Sequence, residues 1–423
     1  MTENYQRLKQ STSNFLRRIL RKPAWDCKRF VADRRGRRGR RWEFATLLNS
    51  LLKGYLSNRS SLRSVERLTA MTSRARVPDT TLYDFVERFG ELEVAGLRRQ
   101  LQAQVRSEWR SKSLGPVGLP CGVVAVDNKT VWSGPAAGAP AGAQVVQPKD
   151  RPAYGQVRVV RSVLISAASK PALDQVVIRP ETNECGMFAE VMAQLEVAYG
   201  SLFEVYSGDA GFCSEANARL VAKANKGYIF GLKGNRGELM REAERVLGVQ
   251  LVPELTTAWE CYRGERVRYH LYRTTEMAGY LDWEHLKQVW RVEKERVHPQ
   301  RRTVARENRY YVTNLHVGRF QAAQILQVVR GHWAIENNCN WTLDVIWDED
   351  TKVWCGKGVA LQALGLLRLM AYNLVALLRS RGWRRREAQQ QEKRGWQEML
   401  DLILQIFSAE AVACSGFQVS VGF

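Results

Sequence analysis

Two apolar runs each stop at an acid. In GVVAVDNKT (122–130), Val123, Val124 and Val126 read as a buried strand ending at Asp127. In LFEVYSGDAGF (202–212), a second strand ends at Asp209. A carboxylate at the mouth of a core strand is penalised by desolvation unless something offsets it. A turn residue is one explanation and a metal ligand is the other. A third acid, Glu336, lies in QAAQILQVVRGHWAIENNCNWTLDVIWDED (321–350), where helical steps of four place His332, Glu336, Asn340 and Asp344 on one face. Such a helix can aim Glu336 at the Asp pair, although a half-buried helix with a polar stripe has the same pattern.

The elements between these acids decide whether they meet. GVVAVD reads as a first strand, VRVVRSVLISA (157–167) as a second and QVVIRP (175–180) as a third, with SGPAAGAPAGA (133–143) a loop by composition. CGMFAEVMAQLEVAYG (185–200) is an amphipathic helix, followed by the strand ending at Asp209, a helix in SEANARLVAKAN (214–225) and a fifth strand in GYIFGLKGN (227–235). This order predicts an α/β fold, a ribonuclease-H-like mixed sheet flanked by helices. In that topology the first and fourth strands are neighbours. Asp127 and Asp209 then share one site although 82 positions separate them (209 − 127).

Around this core, residues 1–41 read as a basic flexible arm, whose run DRRGRRGRR (33–41) suits phosphate contacts through Arg35, Arg37, Arg38, Arg40 and Arg41. Residues 42–115 read as helical, and SLRSVERLTAMTSRARVPDTTLYDFVERF (61–89) resembles a helix-turn-helix that would turn Arg74 and Arg76 toward DNA. A helical hairpin with no ligand fits the same pattern. The catalytic unit is expected over 116–240 and 316–380, interrupted at 241–315 by a basic β insertion. Residues 381–423 form a helical tail, where Met399, Leu400, Ile403, Leu404 and Phe407 make an apolar stripe for a dimer contact or for core packing.

Composition narrows the partners. Against 43 acidic residues the chain carries 64 basic ones, a net charge of +21 over 423 residues, which suits a polyanion such as nucleic acid. Eight scattered cysteines form no CxxC pair, which argues against a zinc ribbon. With no secretory leader evident, they are expected as reduced thiols in a bacterial cytosolic or nucleoid protein. The apolar stretch 359–378 contains Arg368 and Asn373, so a core helix is expected there and no membrane partner.

The third-acid segment carries a family resemblance. Arg330, His332, Trp333, Ile335, Glu336 and Asn337, followed by Trp341, Leu343, Asp344, Val345, Glu349 and Asp350, resemble the signature of DDE insertion-sequence transposases, nearest to the H-repeat-associated branch. AVDNKT resembles the family's first-Asp motif and SGDAGF its second, and TNE (182–184) and LKGN (232–235) fall where similar short motifs occur. The likeness runs over about residues 60–380. Asn128 departs from the usual Gly, Trp132 from a common basic residue, GFCSEAN from a Met- and Gln-containing run, and Asn340 from a frequent His.

The resemblance implies phosphodiester cleavage at insertion-sequence ends and strand transfer to target DNA. It gives Asp127, Asp209 and Glu336 the role of catalytic metal ligands for two Mg²⁺ ions, with Mn²⁺ able to substitute. The chemistry asks for such residues: an anionic phosphodiester repels its nucleophile, and hard cations held by carboxylate oxygens offset that repulsion. Lys129, Lys233, Arg330 and His332 are candidates to hold phosphate, with surface cations the plainer reading. Trp333 and Trp341 either stack on a base or pack on the sheet. Asp344 and Asp350 are expected in supporting roles. Double-stranded DNA, as terminal inverted repeats and target, and a homodimer in the DNA complex are the implied partners. A domesticated DNA-binding regulator and a nuclease without strand transfer are the alternatives.

Overall fold

Strands of alternating Val, Ile and aromatic residues pair first with their nearest neighbours, and here that builds one large sheet. A computed structural model describes residues 3–36, 41–72, 76–140, 142–250, 252–262, 264–298, 303–350, 353–381 and 395–416. Arg37, Arg38, Arg40 and Arg74 lie outside the described residues.

The N-terminal third is helical. Where a flexible arm is expected, Glu3–Leu20 forms α1, with Phe15, Leu16 and Ile19 buried. Then come α2 (Phe44–Leu56), α3 (Leu62–Thr72), α4 (Asp79–Glu87) and α5 (Glu91–Arg110). At the start of α5 the Glu93 carboxylate accepts from the Gly90 N–H at 2.9 Å, satisfying an otherwise orphaned donor.

The sheet begins with β1 (Val123–Pro135), β2 (Gln144–Val146), β3 (Tyr154–Leu164) and β4 (Ala172–Val177). After α6 (Glu184–Tyr199) come β5 (Val205–Gly208), α7 (Glu215–Lys223) and β6 (Gly227–Leu232). β1 pairs antiparallel with β3 and parallel with β5, β5 pairs parallel with β6, and β4 pairs with β3. The resulting order β4-β3-β1-β5-β6 is the ribonuclease-H arrangement. One detail departs from the sequence reading. β1 continues past Asp127 to Pro135 in a long ladder with β3, so the loop starts later and Asp127 lies within the strand.

Beyond α8 (Gly237–Gly248), the basic segment supplies β7 (Leu255–Thr256), β8 (Glu260–Tyr262), β9 (Glu265–Thr274), β10 (Gln288–Val297) and β11 (Val304–Thr313). These strands extend the same sheet: β11 pairs antiparallel with β6, giving eleven strands in one hydrogen-bonded array.

The chain then returns through α9 (Ala322–Ala334), a π-helix (Ile335–Asn340) and α10 (Trp341–Trp347). α11 (Gly358–Arg381) is long and apolar enough to cross a bilayer, but nearly all of it is buried in the fold as a core helix. α12 (Trp396–Gly416) buries Met399, Leu400, Ile403 and Phe407 and packs on α1, α2, α3 and α11, so its stripe serves intrachain packing.

Candidate active site

The parallel pairing of β1 with β5 ends at the rung Val126↔Gly208. Asp127 is the next residue of β1 and Asp209 the residue just past β5, so register alone makes them neighbours. Asp127 is buried. Its Oδ1 accepts from the Asn128 N–H at 2.9 Å and its Oδ2 from the Asn340 side-chain amide at 3.1 Å. Asp209 is half-buried, and its Oδ1 accepts from the Gly211 N–H at 2.9 Å.

Glu336 reaches this place from the π-helix and is exposed. Steps of four placed His332, Glu336 and Asn340 on one face, but the wider π turn breaks that face: His332 and Asn340 are buried. A π-helix is rare and recurs at functional sites.

Asp127 senses the other two acids. The Asp127 carboxyl is pushed up from 3.8 to about 7, first by burial, then by the charge of Glu336, then by that of Asp209. They repel without forming a finished cage. Among the described residues, no three His, Cys, Asp or Glu side chains are close enough together to hold a metal ion as they stand. The donors nonetheless fit one: all are carboxylate oxygens, the class that Mg²⁺ takes, and their mutual repulsion is what a divalent cation offsets.

Sequence reasoning noted TNE and LKGN as short motifs but gave their side chains no role at the site. A Cβ added at Gly211 would lie 2.9 Å from Glu184 Oε1 and 3.0 Å from Asp209 Oδ1, so Glu184, at the start of α6, is a fourth carboxylate beside the second acid. Glu184 Oε2 lies 3.4 Å from Asn128 Nδ2 and 3.5 Å from Arg158. The LKGN turn braces the same loop: Asn235 Nδ2 donates to Ala210 O at 2.9 Å and Arg236 Nε to Cys213 O at 2.8 Å.

The expected phosphate contacts separate. Lys129 forms an ion pair with Asp344, and Arg330 pairs with Glu260 at 2.9 Å while lying over the Tyr269 ring. Lys233 is exposed just beyond β6. His332 does not fit the role: its ring is buried, and desolvation pushes it down to about 4, so it is neutral. Arg35 also points inward, donating to both Asp33 oxygens and to Trp42 O and lying over Phe44 and Phe85. Arg41 is exposed, and Arg76 pairs with Glu66 at 2.6 Å. Asp350 is exposed.

Trp333 lies under the Arg309 guanidinium, 4.0 Å from the ring centroid, while Trp341 is 51% exposed and therefore not packed away on the sheet. A groove of about 510 Å³ opens beside this segment, lined by Tyr262, Tyr269, Lys294, Arg330, Trp333 and Asn338.

The chain is similar to several known proteins. YbfL of Escherichia coli strain K12 is 23% identical over 232 residues, 52% of this chain and 58% of that one. The H repeat-associated protein YhhI of the same strain is 22% identical over the same shares. YncI of Escherichia coli O157:H7 is 24% identical over 216 residues, 48% and 52% of the two chains. The chain thus spans little more than half the length of these curated relatives. Among solved structures, piggyBac transposase in a synaptic complex with hairpin DNA is 9% identical with a TM-score of 0.45, covering 93% of this chain and 82% of that one. Residues 125–374, more than half of the chain and including all three acids, match the transposase DDE domain; the chain belongs to the DDE transposase family.

Proposed function

We propose that this protein cleaves phosphodiester bonds at the ends of an insertion sequence and joins the freed strand to target DNA, with Asp127, Asp209 and Glu336 as its divalent-metal ligands. The observation that carries this reading is geometric: the last β1–β5 rung sets Asp127 beside Asp209, and Asn340, which ends the π-helix bearing Glu336, donates to Asp127 at 3.1 Å. Bound Mg²⁺, or Mn²⁺ in its place, supplies Lewis acidity to a phosphodiester oxygen and acidifies the attacking water or 3′-hydroxyl.

The protein's own contribution is placement. Two hydrogen bonds fix Asp127, a third fixes Asp209, and exposed Glu336 stands where a duplex can approach. Lys129 and Arg330, now paired with Asp344 and Glu260, can exchange those carboxylates for DNA phosphates. The net charge of +21 favours double-stranded DNA, both terminal repeats and target, as the partner. Holding two ends at once calls for a homodimer in the DNA complex.

The test is cleavage of the DNA that flanks the gene, with Mg²⁺ present. Wild type is expected to nick at the element ends, and Asp127→Asn and Glu336→Gln to bind the DNA without nicking it. Nicking that survives both substitutions would remove these acids from the chemistry. Binding without nicking by wild type would favour a regulator. Cleavage without joining would favour a nuclease.

A further inference from the structure

Beneath Asp127 lies a chain of polar groups that the proposed chemistry does not itself use. In the antiparallel register Asp127 stands opposite Arg161 on β3, and Arg161 opposite Gln175 on β4, so the three side chains form a row on one face of the sheet. Arg161 is fully buried. Its Nη2 donates to both Glu349 oxygens at 2.9 Å and to Gln175 Oε1 at 3.0 Å, and its Nη1 donates to Asn340 Oδ1 at 2.7 Å. Glu349 is shared with Arg368 of α11 at 3.1 Å. It is delivered by the left-handed turn at Asp348 (φ 48°) that closes α10.

This arrangement leaves Asn340 one orientation. A guanidinium offers only donors, so the amide must turn its oxygen toward Arg161 and its nitrogen toward Asp127. Asn340 ends the π-helix that carries Glu336. One side chain therefore ties the first acid to the segment bearing the third. Apolar residues in the same row would hold the fold as well or better, since burying ions gains little stability. The row is better explained as a positioning device.

Resting on the function proposed above, we infer that Arg161 and Asn340 are positioning residues, the arginine fixing the amide and the amide setting the Asp127 carboxylate in register with Glu336. Both side chains are buried, out of reach of a duplex, so their loss acts on kcat and on cation binding and leaves the KM for DNA unchanged.

Two variants of the full chain test this. Arg161→Met keeps the Glu349–Arg368 pair but frees the amide. Asn340→Asp keeps a partner for Arg161 but sets a carboxylate against Asp127. Both are expected to lose about a hundredfold in kcat for nicking flanking DNA, the scale of an ångström-sized misplacement. Arg161→Met is also expected to weaken Mn²⁺ binding, read by electron paramagnetic resonance without DNA, by about tenfold or more. A thermal melt checks that Asn340→Asp is folded at the assay temperature. Wild-type kcat in a folded Asn340→Asp protein overturns the inference, even if Arg161→Met fails to fold. So does wild-type Mn²⁺ affinity in a folded Arg161→Met protein. A wild type that neither binds Mn²⁺ nor nicks DNA instead sinks the functional reading, and this inference with it.

Discussion

Burial and the charges of Glu336 and Asp209 hold the Asp127 carboxyl above its ordinary value, and the sign of that shift can be measured. Its folded-state value, about 7, lies above the ordinary 3.8, so the folded protein holds a proton that the unfolded chain releases. Stability of the metal-free protein therefore falls as pH rises from about 4 to about 7 and levels off above that. Asp127→Asn is expected to raise the stability of the metal-free protein at pH 8 by a few kcal/mol, on the order of the shift itself, with the gain shrinking toward pH 4. Thermal melts at the two pH values check this. Saturating Mn²⁺ should raise the wild-type melting temperature more than the variant's. The three acids were legible because each interrupts an apolar or periodic run. Arg161 was not, and Asn340 and Glu184 were picked out only by spacing and motif, because their contacts depend on register and on side-chain direction, which no local pattern records. His332 misled for a related reason: its spacing matched Glu336, but spacing does not report burial.

At the scale of elements, strand order was readable because each catalytic-core strand is a short β-branched run bounded by turn residues. The π-helix was hidden, since Ile335–Asn340 continues the α-helical apolar pattern on either side of it. α11 shows how closely an element constrains the site. A Cβ at Gly365 would overlap Gln175 Nε2, so the helix lies directly over the buried row. Gly365→Ala is expected to push Gln175 away from Arg161 and to lower stability by about 1–3 kcal/mol, the range for overpacking a filled core; a denaturant titration measures it. Replacement without loss would mean that Gln175 moves freely, contrary to its bond with Arg161. α1 makes a similar point. Its arginines and lysines suggested an arm, yet Ile19 is wholly buried, and Ile19→Ala is expected to cost about 2–5 kcal/mol in the same titration.

For the whole molecule, charge was the plainest signal in the sequence. If +21 serves binding to a duplex through six or more phosphate contacts, affinity should fall on the order of a thousandfold or more between about 50 and 200 mM salt. Fluorescence anisotropy with labelled flanking DNA measures the slope, and a flat response would assign the charge to something other than phosphate. What charge and strand order did not disclose is that the basic strands join the catalytic ones edge to edge, because the pairing of β11 with β6 is a long-range match of Tyr310–Thr313 to Ile229–Leu232. That seam has a mechanical meaning. From β11 to Asp209 there are two strand pairings, β11 with β6 and β6 with β5, so the ribbon and the second acid share one continuous hydrogen-bonded array. Displacing that seam would shift the strand on which the second acid stands, with every acid left in place.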